Sequence, residues 1–82
     1  MNTTEERVAL LVTLNDLARA NLTADLGILA GRLGWGVGRV VRVLAALEDK
    51  GLVHRARCRL TMGGLAIATA LAADRARDSR AA

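Results

Sequence analysis

The chain has 82 residues, 52% of them hydrophobic, with one Trp, no Phe or Tyr, and a formal net charge of +4. A chain of this length forms one small domain (residues 1–82), and its core has to be built from aliphatic side chains. The single cysteine excludes an internal disulfide framework, and the longest uncharged run (residues 60–73) is too short to cross a bilayer, so we expect a cytoplasmic protein with no membrane segment.

The first predicted helix begins near Thr3 and runs to about Ala20. Thr3 and Glu6 have the spacing of a capping box, which marks a helix start. The apolar residues of this helix cover more than one stripe; they are Val8, Leu10, Leu11, Leu14, Leu17 and Ala18. Such a wide apolar face predicts packing on two partners, one of which is a second subunit.

A second, shorter helix follows a connection at residues 21–25. Thr23 or Asp25 can cap it, and helical spacing turns four residues inward: Leu26, Leu29, Ala30 and Leu33. Gly27 and Gly31 each weaken this helix by about 1 kcal/mol relative to alanine. We therefore expect the two glycines to allow a close approach to another helix.

A glycine-broken turn separates this helix from a third one. Gly34 supplies a left-handed residue after the helix end, and Trp35 is predicted to fill the corner between the helices. The third helix is predicted at about residues 37–49 and is ended by Gly51. Its inner face consists of Val40, Val43, Leu44 and Leu47.

Residues 52–61 alternate with a period of two. One set consists of Val53, Arg55, Arg57 and Arg59, and the other of Leu52, His54, Ala56, Cys58 and Leu60. A period of two predicts a β-strand. A two-stranded ribbon that turns near Ala56 would place three arginines on one face: Arg55, Arg57 and Arg59. Cys58 has two interpretations, a small half-buried strand residue or a redox switch whose pKa is lowered by the neighbouring arginines. His54 is interpreted as an ordinary strand residue.

Thr61 is predicted to cap a last helix that runs to about Ala76. Its apolar residues are Leu65, Ile67, Ala68, Leu71 and Ala72, and its polar end consists of Asp74, Arg75, Arg77, Asp78 and Arg80. The apolar faces of the first and last helices are predicted to form the core and, beyond it, a homodimer contact.

The positive charge is concentrated in one third of the chain. Residues 32–59 contain seven basic and two acidic residues, a net +5, while the remaining residues sum to −1. Such clustering is typical of a protein that binds a polyanion, whereas scattered surface arginines would not produce it. Arg39 and Arg42 lie one turn apart on the outer face of the third helix. The arginine candidates for contact with DNA are Arg32, Arg39, Arg42, Arg55, Arg57 and Arg59.

Catalytic, metal and nucleotide sites are not expected. His54 is the only histidine, and no cysteine or carboxylate lies near it at the spacing of a metal site or a catalytic triad. The glycine run at residues 34–38 follows no strand and has no phosphate-loop pattern. We therefore expect neither an enzyme nor a cofactor.

The order helix, tight turn, helix and basic ribbon is that of a winged helix-turn-helix. Over residues 25–71, the chain resembles the MarR-like winged-helix transcriptional regulators, whose pattern LAxxLG…LExxGLV…LTxxG it follows at Leu29-Ala30, Leu33-Gly34, Leu47-Glu48, Gly51-Leu52-Val53, Leu60-Thr61 and Gly64. The resemblance implies an α+β, mostly helical fold with a short two-stranded wing (residues 54–59) and a C-terminal helix. It also implies a recognition helix that begins at Gly36, Val37, Gly38 and Arg39, and a homodimer on double-stranded DNA.

A departure from that pattern qualifies the expected function. Gly36, Val37 and Gly38 stand where the family has small polar residues, and they offer no side-chain hydrogen bonds to bases. The bare glycines would instead allow backbone N–H groups at the helix start to approach a phosphate. We therefore expect sequence-tolerant or moderately specific DNA binding by a small transcriptional regulator or nucleoid-associated protein. The alternative is a winged helix that binds another protein and not DNA.

Overall fold

The computed structural model describes the backbone of residues 3–81 and the side chains of residues 3–74. In chain order, the described part consists of α1 (Thr3–Arg19), α2 (Leu26–Leu33), α3 (Val37–Asp49), β1 (Val53–His54), a 3-10 turn (Arg55–Arg57), β2 (Arg59–Leu60) and α4 (Met62–Ala81). The predicted mostly helical α+β class is confirmed. None of the helices in this part of the chain combines the length and the apolar character that crossing a membrane requires.

The predicted bounds of the first and third helices agree with the structure to within one residue, but the predicted end of the last helix is wrong. α4 continues past Ala76 to Ala81. The physical reason is local, because the chain after Gly64 contains no glycine or proline and is rich in alanine and arginine, which favour helix. The side chains of Arg75, Arg77, Asp78 and Arg80 lie outside the described residues.

The core is aliphatic and lies where α1 crosses the other helices. α1 contributes four buried leucines, and α4 and α1 are the most extensively packed pair of helices. The fully enclosed residues at the centre are Leu10, Leu29, Val40, Leu44 and Ala68, each 0% exposed. Because the chain is small, nearly every element has to contribute to this one core.

The start of α2 and the turn after it follow from single residues. The carboxylate of Asp25 accepts a hydrogen bond from the Ile28 N–H at 2.8 Å, which selects Asp25 over Thr23 as the cap. Gly34 adopts a left-handed conformation with φ 69°, and its N–H bonds to the Ala30 carbonyl. Trp35 is buried beside it. The predicted roles of Gly34 and Trp35 are confirmed.

The predicted role of Gly27 and Gly31 is wrong. A Cβ placed on Gly31 would meet no other atom within 4 Å, and one on Gly27 would meet only the nearby Asp25 carboxylate, at 3.3 Å. Both glycines are exposed, since α2 turns its leucine face and not its glycine face toward the core. They therefore weaken the helix without allowing any close packing.

A close backbone approach occurs instead where the ribbon meets α4. The Thr61 N–H bonds to the Leu52 carbonyl at 3.0 Å, and the Thr61 hydroxyl donates to the Gly51 carbonyl at 2.7 Å. The same hydroxyl accepts from the Gly64 N–H at 3.0 Å, which confirms Thr61 as the cap of α4. Gly64 is buried against Leu52, and a Cβ there would overlap the Leu52 carbonyl.

The ribbon is shorter than the alternation predicts. β1 and β2 pair antiparallel through Val53 with Leu60 and His54 with Arg59. Residues 55–57 form a 3-10 turn, closed by a hydrogen bond from the Cys58 N–H to the Arg55 carbonyl at 3.2 Å. The turn shifts the alternation of buried and exposed positions by one residue. Val53 and Cys58 are therefore both buried, although residues five apart in a continuous strand would face opposite sides. The predicted single face of Arg55, Arg57 and Arg59 is therefore wrong.

Candidate nucleic-acid interface

Burial of one face fixes the rotation of α3. Val40, Val43, Leu44 and Leu47 are buried, as predicted. Arg42 consequently points away from the core, with 71% of its side chain exposed. One face of α3 thus packs on the core, and the opposite face exposes the Arg42 guanidinium to solvent.

Glu6 of α1 joins the two arginines of α3. Its Oε2 atom accepts a hydrogen bond from Arg39 Nε and lies 3.6 Å from Arg42 Nη2, while the Glu6 side chain is only 10% exposed. This ion pair was not predicted from the sequence. One signal was present, since Glu6 lies at helical spacing on the stripe of Leu10 and Leu17 and so has to face inward.

Two opposing effects act on the ionisation of Glu6. The hydrogen bond from Arg39 lowers the pKa of its carboxyl below the ordinary 4.5, and the positive charges of Arg39 and Arg42 act in the same direction. Partial burial acts in the opposite direction and is outweighed. Glu6 is therefore an anion at neutral pH, and it offsets part of the positive charge of α3.

Arg39 is held on a second side by Trp35. The guanidinium carbon lies 5.0 Å from the centre of the indole ring, within the range of a cation–π interaction. The Arg39 side chain is 37% exposed despite both contacts. It is therefore fixed in position and still reachable from outside.

The first turn of α3 is open. Gly36, Val37 and Gly38 are exposed, and a Cβ on either glycine would meet no other atom within 4 Å. Gly36 caps the helix without a side-chain hydrogen bond. Since the first N–H groups of a helix have no acceptor within the helix, this end offers donors to an external anion.

The ribbon arginines do not form one set. Arg55 turns toward α3, where its Nε lies 3.6 Å from Glu48 Oε1 and its backbone N–H bonds to Glu48 Oε2 at 3.1 Å. Arg57 is exposed at the tip. Arg59 lines a groove of about 400 Å³ together with Leu17 from the last turn of α1 and Asn21 from the turn that follows it.

The candidate residues thus fall into two groups. In the first group, Arg39 and Arg42 lie on α3, and Arg55 is paired with Glu48 of α3. The first turn of α1 contacts this group through Glu6. Arg59 lies near the C-terminal end of α1, and Arg32 is exposed in the last turn of α2. Within the described residues, no ion pair holds Arg32, Arg57 or Arg59.

Cys58 is not the strand residue that the alternation predicts. It adopts a left-handed conformation (φ 50°) and is buried, with its thiol 3.8 Å from the Arg55 carbonyl. Burial, and secondarily the negative charge of Asp25, raise the pKa of the thiol. The predicted lowering by neighbouring arginines is wrong, because those side chains extend into solvent. His54 is an exposed residue of β1.

Among the described residues, no group of three or more His, Cys, Asp or Glu side chains is placed to hold a metal ion. Comparison of the chain with protein-family models, with curated proteins and with solved structures finds no match. Any assignment of function therefore depends on the geometry and the charges of the chain itself.

Proposed function

We propose that the chain binds double-stranded DNA as a winged helix-turn-helix. In this proposal, α2, the turn at Trp35 and α3 form the helix-turn-helix, and α3 enters the major groove. The ribbon is a short wing that contacts the flanking backbone. The cellular role is that of a small transcriptional regulator or a nucleoid-associated protein in the cytoplasm.

One observation carries this proposal. The net +5 of residues 32–59 lies on exposed or half-exposed side chains of α2, α3 and the ribbon, and not in the core. Only two carboxylates, Glu6 and Glu48, form the ion pairs of Arg39, Arg42 and Arg55 within the described residues. Such a surplus of exposed cations is the pattern that a phosphate backbone recognises.

The open start of α3 supports the same proposal. No side chain shields the backbone at Gly36 and Gly38, so the first N–H groups can approach a phosphate closely. These residues cannot read bases through side chains. Contacts to phosphates therefore outnumber contacts to bases, and they orient the protein without specifying sequence.

A homodimer through α1 and α4 is the second part of the proposal. α4 has no charged residue from Met62 to Ala73, and its Met62, Leu65 and Ile67 are exposed by 90%, 45% and 43%. Leu65 and Ile67 lie on different sides of the helix because they are two positions apart. Exposed apolar residues on an uncharged helix are typical of a contact surface. A dimer would place two copies of α3 on one duplex.

The same exposed apolar residues of α4 favour a second candidate function, a protein-interaction module that does not bind DNA. In that case α4 docks on another protein, and the arginines are a solvated surface. The two functions differ in their response to removal of the ribbon arginines, because only DNA binding requires those charges.

The test uses duplex binding, measured by fluorescence anisotropy, on the variant Arg57→Ala/Arg59→Ala. Arg55 is left in place because its contacts with Glu48 hold the 3-10 turn. We expect the variant to bind a random duplex several-fold more weakly and to show a shallower salt dependence, by about 0.9 for each phosphate that the variant no longer neutralises. Arg19→Ala, which removes an exposed arginine of α1 outside the basic segment, is the matched control and should change little.

Unchanged affinity of a correctly folded Arg57→Ala/Arg59→Ala variant would contradict the proposed wing contact. Absence of duplex binding by the unaltered protein would contradict DNA binding altogether and favour the protein-interaction module. Ile67→Glu addresses the dimer separately, because a charge on the exposed face of α4 should reduce a two-protomer mass in sedimentation to that of one protomer. A one-protomer mass of the unaltered protein would contradict the dimer.

A further inference from the structure

The hydrogen bond from Arg39 to Glu6 uses one edge of the guanidinium. Glu6 accepts from Nε, on the side edge of the fork, and the Arg39 side chain is 37% exposed. The two Nη atoms form the end edge, which can donate a paired hydrogen bond to the O6 and N7 acceptors of guanine.

We propose that Glu6 is a positioning residue that presents the end edge of Arg39 to a guanine in the major groove. The inference rests on the proposed DNA binding and adds a base-reading residue to it. Arg39 then supplies the sequence discrimination that Gly36, Val37 and Gly38 cannot supply.

The unequal confinement of the two arginines assigns this role to Arg39. Arg39 is held by a hydrogen bond from Nε and by the Trp35 ring, and it is 37% exposed. Arg42 is 71% exposed and reaches Glu6 only at 3.6 Å. A side chain that is already ordered loses less conformational freedom on binding, so a directional contact favours Arg39. A mobile cation suits a phosphate, which tolerates many approach geometries.

Glu6 has opposite effects on the two kinds of binding. Its negative charge lies next to the arginines and repels phosphates, so it weakens binding to any duplex. Its hydrogen bond fixes Arg39 and so strengthens binding to the duplex with the correct guanine. Removing the charge should therefore raise affinity for random DNA and lower discrimination. A purely structural role for Glu6 would lower both affinities together.

The experiment begins with selection of duplexes from a random pool by the unaltered protein. Each enriched guanine is then replaced by 7-deazaguanine, which lacks the N7 acceptor. We expect one replacement to weaken binding of the unaltered protein by about 5- to 150-fold, the range for a bidentate pair. Glu6→Met has a side chain of similar length but neither the charge nor the acceptor for Arg39 Nε. In this variant the same replacement should have at least fivefold less effect, while affinity for random duplex rises.

Two variants make the result specific. Glu5→Gln removes the same charge from the same turn of α1, so it should leave the 7-deazaguanine effect unchanged. Arg39→Lys keeps the charge but loses the planar fork, and it should lose the effect. If Glu6→Met does not fold, as judged by circular dichroism, Glu6→Asp replaces it, because the shorter side chain keeps the charge but withdraws the acceptor from Arg39, and it should lose the 7-deazaguanine effect in the same way.

An unaltered protein that binds duplex but enriches no guanine, or tolerates every 7-deazaguanine, would overturn the role of Arg39 and leave the proposed DNA binding intact. Full discrimination retained by Glu6→Met, or by Glu6→Asp where it is used instead, would overturn the role of Glu6. Failure of the unaltered protein to bind any duplex would instead contradict the proposed function.

Discussion

The α-carbon of Gly64 lies so close to the backbone of Leu52 that a Cβ at position 64 would overlap the Leu52 carbonyl oxygen and stand 2.8 Å from its carbon. This approach ties the first turn of α4 to the short segment between α3 and β1. It also allows the hydrogen bonds of Thr61 to Gly51 and Leu52. The ribbon is therefore anchored at its base by backbone contacts, although its strands are only two residues long.

We expect Gly64→Ala to destabilise the protein by about 1–3 kcal/mol, because backbone atoms have to shift to admit the methyl group. Urea unfolding followed by circular dichroism measures this change. Gly63→Ala is the matched control, since a Cβ there would meet only the Thr61 hydroxyl at 3.8 Å. The control should be neutral or stabilising by up to about 1 kcal/mol. Equal stabilities of the two variants would contradict the close approach.

Substitutions at two other glycines should distinguish an effect on folding stability from an effect on DNA binding. Gly31→Ala and Gly38→Ala both lie in helices with open space around the new methyl group. Each should stabilise the folded state by up to about 1 kcal/mol. Only Gly38→Ala should weaken duplex binding, because its methyl group keeps the start of α3 away from a phosphate. Unchanged DNA affinity of Gly38→Ala would contradict the proposed backbone contact.

The ion pair of Glu6 predicts a pH dependence of stability. Because the pKa of Glu6 is lowered in the folded state, its contribution to stability is complete above the ordinary value of 4.5 and is lost as the pH falls through the lower folded value. We expect the urea midpoint to decrease more steeply in the unaltered protein than in Glu6→Gln between about pH 5 and pH 3. Other carboxyl groups titrate in both proteins and cancel in the difference. Parallel pH curves would show that Glu6 forms no stabilising pair.

Burial of Cys58 predicts that its thiol reacts slowly with alkylating reagents. Since burial raises the pKa of Cys58, little thiolate forms at neutral pH, and the sulfur is also shielded. We expect iodoacetamide to label the folded protein much more slowly than the urea-unfolded protein. Rapid labelling of the folded protein that slows in Arg57→Ala would restore the interpretation of a thiol activated by arginines.

Local signals predicted the helices well. Asp25, Gly34 and Gly51 mark helix ends through their own hydrogen bonds or conformations, and α3 was located from its four buried apolar residues. These features depend on neighbours within one or two turns. The sequence therefore contains enough information to place them.

Contacts between distant residues were not predicted. Arg39 and Glu6 are 33 residues apart, so the stripe of α1 showed that Glu6 faces inward but not what it meets. The alternation after Leu52 correctly indicated extended backbone at β1 and β2. It could not reveal the 3-10 turn, because a turn of three ordinary residues has no glycine signal and changes the parity. The sequence shows which residues are surface cations, but which of these cations lie close together depends on tertiary structure.

The salt dependence of duplex binding tests the proposed function most directly. Arg39 is assigned to a guanine. If Arg32, Arg42, Arg55, Arg57 and Arg59 each neutralise one phosphate per bound protomer, the slope of log affinity against log salt should be about −4.5. The measurement is an anisotropy titration of a labelled duplex from low to physiological salt. A slope of about −4.5 is the predicted result. Affinity that does not change over this range, or no binding at low salt, would contradict the proposal that these arginines bind DNA.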